Sequence, residues 1–257
     1  MDTPVVSIIT PTYNSADFIA ETIESIQAQT FKSWELLITD DCSTDNTVEI
    51  VKKYMNNDHR IKLFILDENS GSGVARNTSI NEAKGRYIAF CDSDDRWYLD
   101  KLEKQLSFMQ KMDCALSYTS YITCNEEGDN LGIVVCRRKE TFWSIRRDDK
   151  IGCLTAVYDT EKVGKVYMPK IRKRQDWGLM LNILKKCDEA CGMKEPLAIY
   201  RIRNNSLSSN KLSLVKYNVG LYQEVLGWSR IRALLYFSIV FVPSYIMKKI
   251  VINLYNN

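Results

Sequence analysis

Asp92-Ser93-Asp94-Asp95 gathers three carboxylates into four residues, directly behind the apolar run Tyr87-Ile88-Ala89-Phe90-Cys91. That run reads as a short buried strand, so the carboxylates fall where a strand gives way to a loop. Like charges crowded there repel one another unless a cation compensates them. Carboxylate oxygens are hard ligands that suit Mg²⁺ or Mn²⁺, and such ions usually reach a protein together with substrate phosphates. The tetrad therefore implies a metal–diphosphate site.

The rest of the chain limits the chemistry available. Its one histidine, His59, lies in the polar stretch Asn56-Asn57-Asp58-His59-Arg60 and reads as a solvated turn residue. If a general base is needed, a carboxylate is the leading candidate. The eight cysteines include no CxxC pair, and Cys187 and Cys191 are spaced CxxxC. With a single histidine a zinc cluster is not expected, and the cysteines read as reduced thiols of a cytosolic protein. Met1-Asp2-Thr3-Pro4 leads straight into a strand-like run, so no secretory signal is expected. A net charge of +3 over 257 residues gives no argument for nucleic acid, and the length suffices for a full hydrophobic core.

Elements that alternate strictly position the tetrad. Residues 5–10 are a β-rich apolar run, and Ile19, Ile23 and Ile26 mark a helix over residues 16–29. Strands follow at 34–39, 61–66 and 87–91, with helices starting near Val48 and spanning 74–83 and 99–111. This β-α repetition predicts an open, mostly parallel sheet flanked by helices. Right-handed crossovers then bring every strand's C-terminal end to one edge, where ligands bind in such sheets. Just past those ends lie Pro11-Thr12-Tyr13-Asn14, then Asp40-Asp41, then residues 69–76, then the tetrad. Four polar, aromatic and acidic loops are expected to meet in one crevice. Gly71-Ser72-Gly73 matches part of a dinucleotide fingerprint, but it follows the third strand rather than the first, which argues against a dehydrogenase.

Beyond residue 113 the pattern is less regular. Residues 115–124 and 133–136 read as strands joined by a hairpin across 125–130, 176–186 as a helix, 198–202 as a short strand and 212–226 as a helix. Residues 233–247 carry no charge and are flanked by Arg230, Arg232, Lys248 and Lys249. The run falls short of the ~20 apolar residues needed to span a bilayer, and Pro243 interrupts it. Either it is a helix packed on the domain, or it is an interfacial anchor with basic flanks on anionic lipid. Trp228, Tyr236, Tyr245 and Tyr255 are interfacial residue types and tip the reading toward the anchor.

With its loops aligned, the chain resembles a family 2 inverting glycosyltransferase of the GT-A fold. The likeness rests on Val6-Ser7-Ile8-Ile9-Thr10-Pro11-Thr12-Tyr13-Asn14, Asp40-Asp41-Cys42-Ser43-Thr44-Asp45, Ala75-Arg76-Asn77 and Ala83-Lys84-Gly85-Arg86-Tyr87-Ile88. It continues through Asp92-Ser93-Asp94-Asp95 with Trp97, and Gln175-Asp176-Trp177. In general appearance it is similar to bacterial enzymes that build teichuronic acids, capsules and O-antigens. The resemblance implies a nucleotide-sugar-binding half over 1–112, an acceptor-binding half over 113–212, and a C-terminal helical segment over 213–257.

The resemblance also implies roles. Tyr13 packs along a uracil, Pro11 lies beside the nucleotide, and Asp41 accepts a uracil N–H, which favours a UDP-sugar donor. Arg76 approaches the diphosphate, and Ser93 lies in the donor site. Asp92 contacts the ribose or a metal-bound water, and Asp94 ligates Mn²⁺ or Mg²⁺. Asp176 is the general base. Residues 200–208 resemble a loop that closes over the diphosphate, with Arg203 where many relatives carry histidine. Arginine binds phosphate but does not ligate metal. The implied acceptor is a lipid-linked oligosaccharide, and the implied location is the cytoplasmic face of the cell membrane, where the protein is peripheral. Two other readings stand beside this one: a catalytically silent nucleotide-sugar-binding scaffold, and a nucleotidyltransferase, whose usual Gly- and basic-rich loop after the first strand is missing here. The Lys170–Arg174 cations are either a solvated rim or a means of steering a diphosphate-linked acceptor.

Overall fold

The computed structural model describes residues 3–203 and 211–246, with side chains throughout except at 211–214. Its first half runs β1 (Val6–Thr12), α1 (Ile19–Gln27), β2 (Trp34–Asp40), α2 (Thr47–Asn57), β3 (Ile61–Ile65), α3 (Ser72–Glu82), β4 (Tyr87–Phe90), β5 (Arg96–Trp97) and α4 (Lys101–Met112). The second half runs β6 (Leu116–Cys124), β7 (Asn130–Val134), β8 (Lys139–Thr141), α5 (Phe142–Ile145), β9 (Val157–Asp159), α6 (Thr160–Val163), α7 (Gln175–Leu184), β10 (Glu189–Arg201), α8 (Lys211–Leu226) and α9 (Arg230–Tyr236).

All ten strands form one mixed sheet, ordered β3-β2-β1-β4-β9-β6-β10-β5, with β7 on β6 and β8 on β10. Strands β3, β2, β1 and β4 pair in parallel, as the alternation predicts. The antiparallel β9 joins β4 to β6, and β10 runs parallel to β6. Two reversals restore direction, so β6 and β10 end at the same edge as β1, β2 and β4. This is the GT-A architecture.

Residues alternate across the sheet because successive strand side chains point to opposite faces. Val6, Ile8, Leu36 and Ile38 pack with Ile19, Ile23 and Ile26 of α1 and Leu102 and Leu106 of α4. Ile9, Leu37, Ile88 and Phe90 pack on the other face with Ile80 of α3 and Trp177, Leu181 and Tyr222.

Sequence periodicity misses some elements. β5, β8 and β9 span two or three residues and exist only through their partners. β10 is thirteen residues long rather than the short strand expected over 198–202, because β6 pairs along it through two register shifts around Pro196. Proline cannot donate to the ladder, so a bulge absorbs it.

Within the described residues, the C-terminal segment is helical and packs on the domain. A π-helical turn, Phe237–Phe241, precedes Pro243. Widening the helix there makes room where the proline lacks an N–H and would crowd the carbonyl one turn earlier. Ala233 and Phe241 are buried, and the Phe241 ring lies 5.9 Å from that of Trp177. Trp228 and Tyr236 turn inward, 5.0 Å apart, with the Arg146 guanidinium 5.4 Å and 4.9 Å from their rings. The opposite face leaves Ile231, Leu235 and Ile239 exposed. Among the described residues no helix is long and apolar enough to cross a membrane. Lys248, Lys249 and Tyr255 lie outside the described residues.

Candidate active site

The strand ends converge on two cavities. One, of about 470 Å³, is lined by Pro11, Tyr13, Asp41, Arg76, Asp92, Ser93, Asp94 and Arg203, which are all eight residues expected at the donor. The other, of about 450 Å³, is lined by Asp176 and by residues of β6, the stretch after β7 and the loop 149–154. Asp92 lines both.

Loop chemistry shapes the first cavity. Asn14 has φ 47°, and its side-chain carbonyl accepts from Thr44 N at 2.8 Å. This turn leaves the Tyr13 ring nearly half exposed over the cavity. Asp40 accepts from Ser43 N and Ser43 Oγ, a local turn at the end of β2. Asp41 accepts from the Ser70 and Gly71 amides at 2.7 and 2.8 Å. Those two amides occupy both carboxylate oxygens and tie the loop before α3 to Asp41, which lines the cavity. Ser93 Oγ lies 2.9 Å from Ser15 Oγ, tying the acidic tetrad to the loop after β1.

Arg76 comes from α3 and is buried. It donates to Asp92 Oδ1 at 2.5 Å, while its Nε has no partner. Burial is the largest single influence and disfavours the guanidinium charge, but the charge and hydrogen bond of Asp92, with Cys153 and then Asp176, together outweigh it, so the net shift is upward. Arg76 thus sits in the field of both Asp92 and Asp176.

Asp94 and Asp95 are held by an arginine that no motif singles out. Arg201, at the end of β10, donates its backbone N–H to Asp95 Oδ1 (2.9 Å) and its Nε to the Asp94 carbonyl (3.1 Å). Its other nitrogens reach the Glu126 carbonyl (2.5 Å) and Glu21 Oε2 (2.7 Å). Its place at a strand end among alternating polar residues carries no local signal of that role. Two residues on, Arg203 lies 3.6 Å from Asp94 Oδ2, and both guanidiniums stack on Phe18. Residues 204–208 of this segment lie outside the described residues. Arg172 and Lys173 also line the donor cavity, which brings two of the Lys170–Arg174 cations to its wall.

The carboxylates fit a divalent cation of the Mg²⁺ or Mn²⁺ class in one specific sense. Burial, and after it the charge of Asp92, push the Asp94 carboxyl above its usual range, so Arg203 compensates its ionised form only in part. Among the described residues no group of three or more His, Cys, Asp or Glu is placed to hold a metal. A cation here would take one or two carboxylate oxygens and fill its shell with phosphate and water, as Mg²⁺ commonly does.

Asp176 is the second residue of α7, where the helix dipole favours an anion. Arg174, at φ 68°, sets the sharp entry. Gln175 beside it is buried and packs against Gly73, where a Cβ would lie 2.8 Å from Gln175 Cδ. Ser72 Oγ donates to Gln175 Oε1 at 3.1 Å. The missing Cβ of Gly73 therefore makes room for Gln175, the neighbour of Asp176.

Comparison with known proteins gives the family and the fold. The model of glycosyl transferase family 2 matches residues 7–161. The chain is 46% identical over 223 residues, covering 86% of it and 88% of the relative, to TuaG of Bacillus subtilis, which is named for teichuronic acid biosynthesis. It is 38% identical over 84% of both chains to WfgD of Escherichia coli, named as a UDP-Glc:alpha-D-GlcNAc-diphosphoundecaprenol beta-1,3-glucosyltransferase. Among solved structures it superposes on TarS of S. aureus in complex with UDP-GlcNAc with a TM-score of 0.72 at 22% identity, covering 91% of this chain and 73% of that one. It superposes on a mannosyltransferase of Pyrobaculum calidifontis, in complex with GDP-Man and Mn²⁺, with a TM-score of 0.66 at 18% identity, covering 93% and 71%. With fold, cavities and sequence in agreement, the chain belongs to glycosyl transferase family 2 and is a glycosyltransferase.

Proposed function

We propose that the protein transfers a sugar from a UDP-sugar to a hydroxyl of a lipid-diphosphate-linked acceptor, with inversion, during synthesis of a bacterial surface polysaccharide. The observation that carries this reading is the meeting of two cavities at Asp92, with the nucleotide-type loops in one and Asp176 in the other. The names of TuaG and WfgD and the UDP-GlcNAc held by TarS support the substrate class.

Tyr13 stacks on the uracil and Asp41 accepts its N–H. Arg76, Arg203, Arg172 and Lys173 face the diphosphate and oppose the charge it gains on leaving. A Mn²⁺ or Mg²⁺ held through Asp94, with Asp92 behind it, would act there as a Lewis acid. Asp176 takes the proton of the acceptor hydroxyl. The freed oxygen forms its bond to the anomeric carbon as the bond to the diphosphate breaks on the opposite side, and UDP departs with that electron pair. One displacement inverts the anomeric configuration. The exposed apolar face of α9 and the following turn, with Arg230 and Arg232, supports a peripheral location at the inner face of the membrane.

A thermal-shift panel of UDP, GDP and CMP, each with and without Mn²⁺, tests the donor class. Stabilisation by UDP that grows with Mn²⁺ is expected. A response to GDP alone would replace the donor class, and no response to any nucleotide would remove the reading.

A further inference from the structure

We infer that the β6–β7 hairpin carries the apolar chain of the acceptor, with the acceptor's diphosphate on the cations at the cavity rim. The inference rests on the transferase reading above and deepens its acceptor side. Leu131, Ile133, Val134 and Val135 are 57%, 53%, 41% and 59% exposed, an aliphatic strip in a place where a soluble surface usually puts polar residues. The strip is continuous with the site, because Val134 and Val135 line the cavity that holds Asp176. From Val135 to Leu131 it runs about 13 Å at ~3.3 Å per residue.

Cations follow directly. Arg137 and Lys150 line the same cavity, each 3.9 Å from a Glu140 oxygen, and Arg138 beside them is exposed. One cavity thus joins aliphatic side chains, the cations Arg137 and Lys150, and the carboxylates Asp92, Asp95, Glu140, Asp149 and Asp176. A lipid-linked sugar diphosphate has the matching set of chain, phosphates and reacting hydroxyl. A second copy of this chain fits the strip less well. Thr123 pairs with Gly132 and Cys124 with Asn130, which leaves Leu131 unpaired in a bulge, with Gly132 at φ 145°. Such bulges twist an edge strand away from strand addition.

The test compares two acceptors, a sugar diphosphate on a long alkyl chain and the same sugar diphosphate on a short one. Wild type and L131S/I133S are each assayed with both. The strip predicts that wild type has the lower KM for the long chain, and that the double variant raises that KM by roughly tenfold. Short-chain kinetics and the UDP thermal shift should be unchanged. An equal long-to-short ratio in both proteins would overturn the inference while leaving the transferase reading intact. So would a loss that tracks release from anionic vesicles, or a change in sedimentation, since the strip would then serve a bilayer or a second copy. A wild type that transfers to neither acceptor overturns both readings. If the double variant loses its UDP shift, Leu131→Ser alone takes its place.

Discussion

Arg76 donates to Asp92 Oδ1 at 2.5 Å, and Asp92 lines both cavities at the strand ends. The pair couples α3 to the acidic tetrad and sets a fixed positive charge beside the proposed reacting centre. Arg76→Met would leave Asp92 without its counter-charge. Because Asp92 is about one-third exposed, the cost should be about 1–3 kcal/mol, below that of a fully buried pair. UDP affinity should fall as well. Arg76→Lys should recover part of the stability and little of the affinity, since a point charge does not reproduce the guanidinium fork. Urea unfolding and UDP titration calorimetry on both variants read the two effects separately.

Asp94 and Asp176 should separate by readout. Asp94 bears an ionised form that burial and Asp92 disfavour, so Asp94→Ala should keep the fold and lose the Mn²⁺-dependent part of the UDP stabilisation. Asp176→Asn should keep that stabilisation and lose about 10²–10⁴-fold in kcat, the usual worth of a positioned base. Intact turnover in Asp176→Asn would move the base elsewhere.

Much of this arrangement is legible in the sequence because it is local or periodic. Alternation over residues 5–111 yields the parallel strands, and the crossover rule carries Pro11, Tyr13, Asp41 and Asp94 to one edge. What escapes depends on meetings between distant residues. The amides that occupy Asp41 come from residues 29 and 30 positions away. The four groups that Arg201 holds come from α1, the acidic tetrad and the β6–β7 turn, and no spacing rule joins them. The C-terminal segment escapes for another reason, since its composition suits both docking and lipid. The structure gives it a docked face and an exposed one.

Gly73 tests the link between the loop after β3 and the base. A Cβ there would press on Gln175 Cδ and Nε2 at 2.8 and 2.9 Å. Those atoms end a flexible side chain, so Gly73→Ala should fold, with the clash largely offset by the ~1 kcal/mol that alanine gains over glycine in a helix. The displaced Gln175 adjoins Asp176, so kcat should fall while the donor KM changes little. In Gly73→Ala/Gln175→Ala the clash is gone, and kcat should match that of Gln175→Ala alone. Additive losses would show that Gly73 acts through something other than Gln175.

Lys101 gives a pH-dependent prediction away from the chemistry. It is fully buried at the start of α4, where the helix dipole also disfavours a cation, and its Nζ donates to Gln105 Oε1 at 2.7 Å. Burial lowers its pKa to about 7, although the Trp97 ring, 4.1 Å from Nζ, pulls the other way. Below about pH 7 the folded and unfolded chains both hold this proton, and the lysine's contribution is constant. Between about 7 and the ordinary lysine value of 10.5, only the unfolded chain holds it, so folding gains stability as pH rises. The gain is at most ~1.4 kcal/mol per pH unit. Lys101→Met removes this term, so its stability relative to wild type should decline from about pH 7 upward. Urea midpoints of both proteins at about pH 6.5 and 9 measure it. A difference that does not change with pH would mean that the Trp97 face keeps the ammonium charged inside the fold.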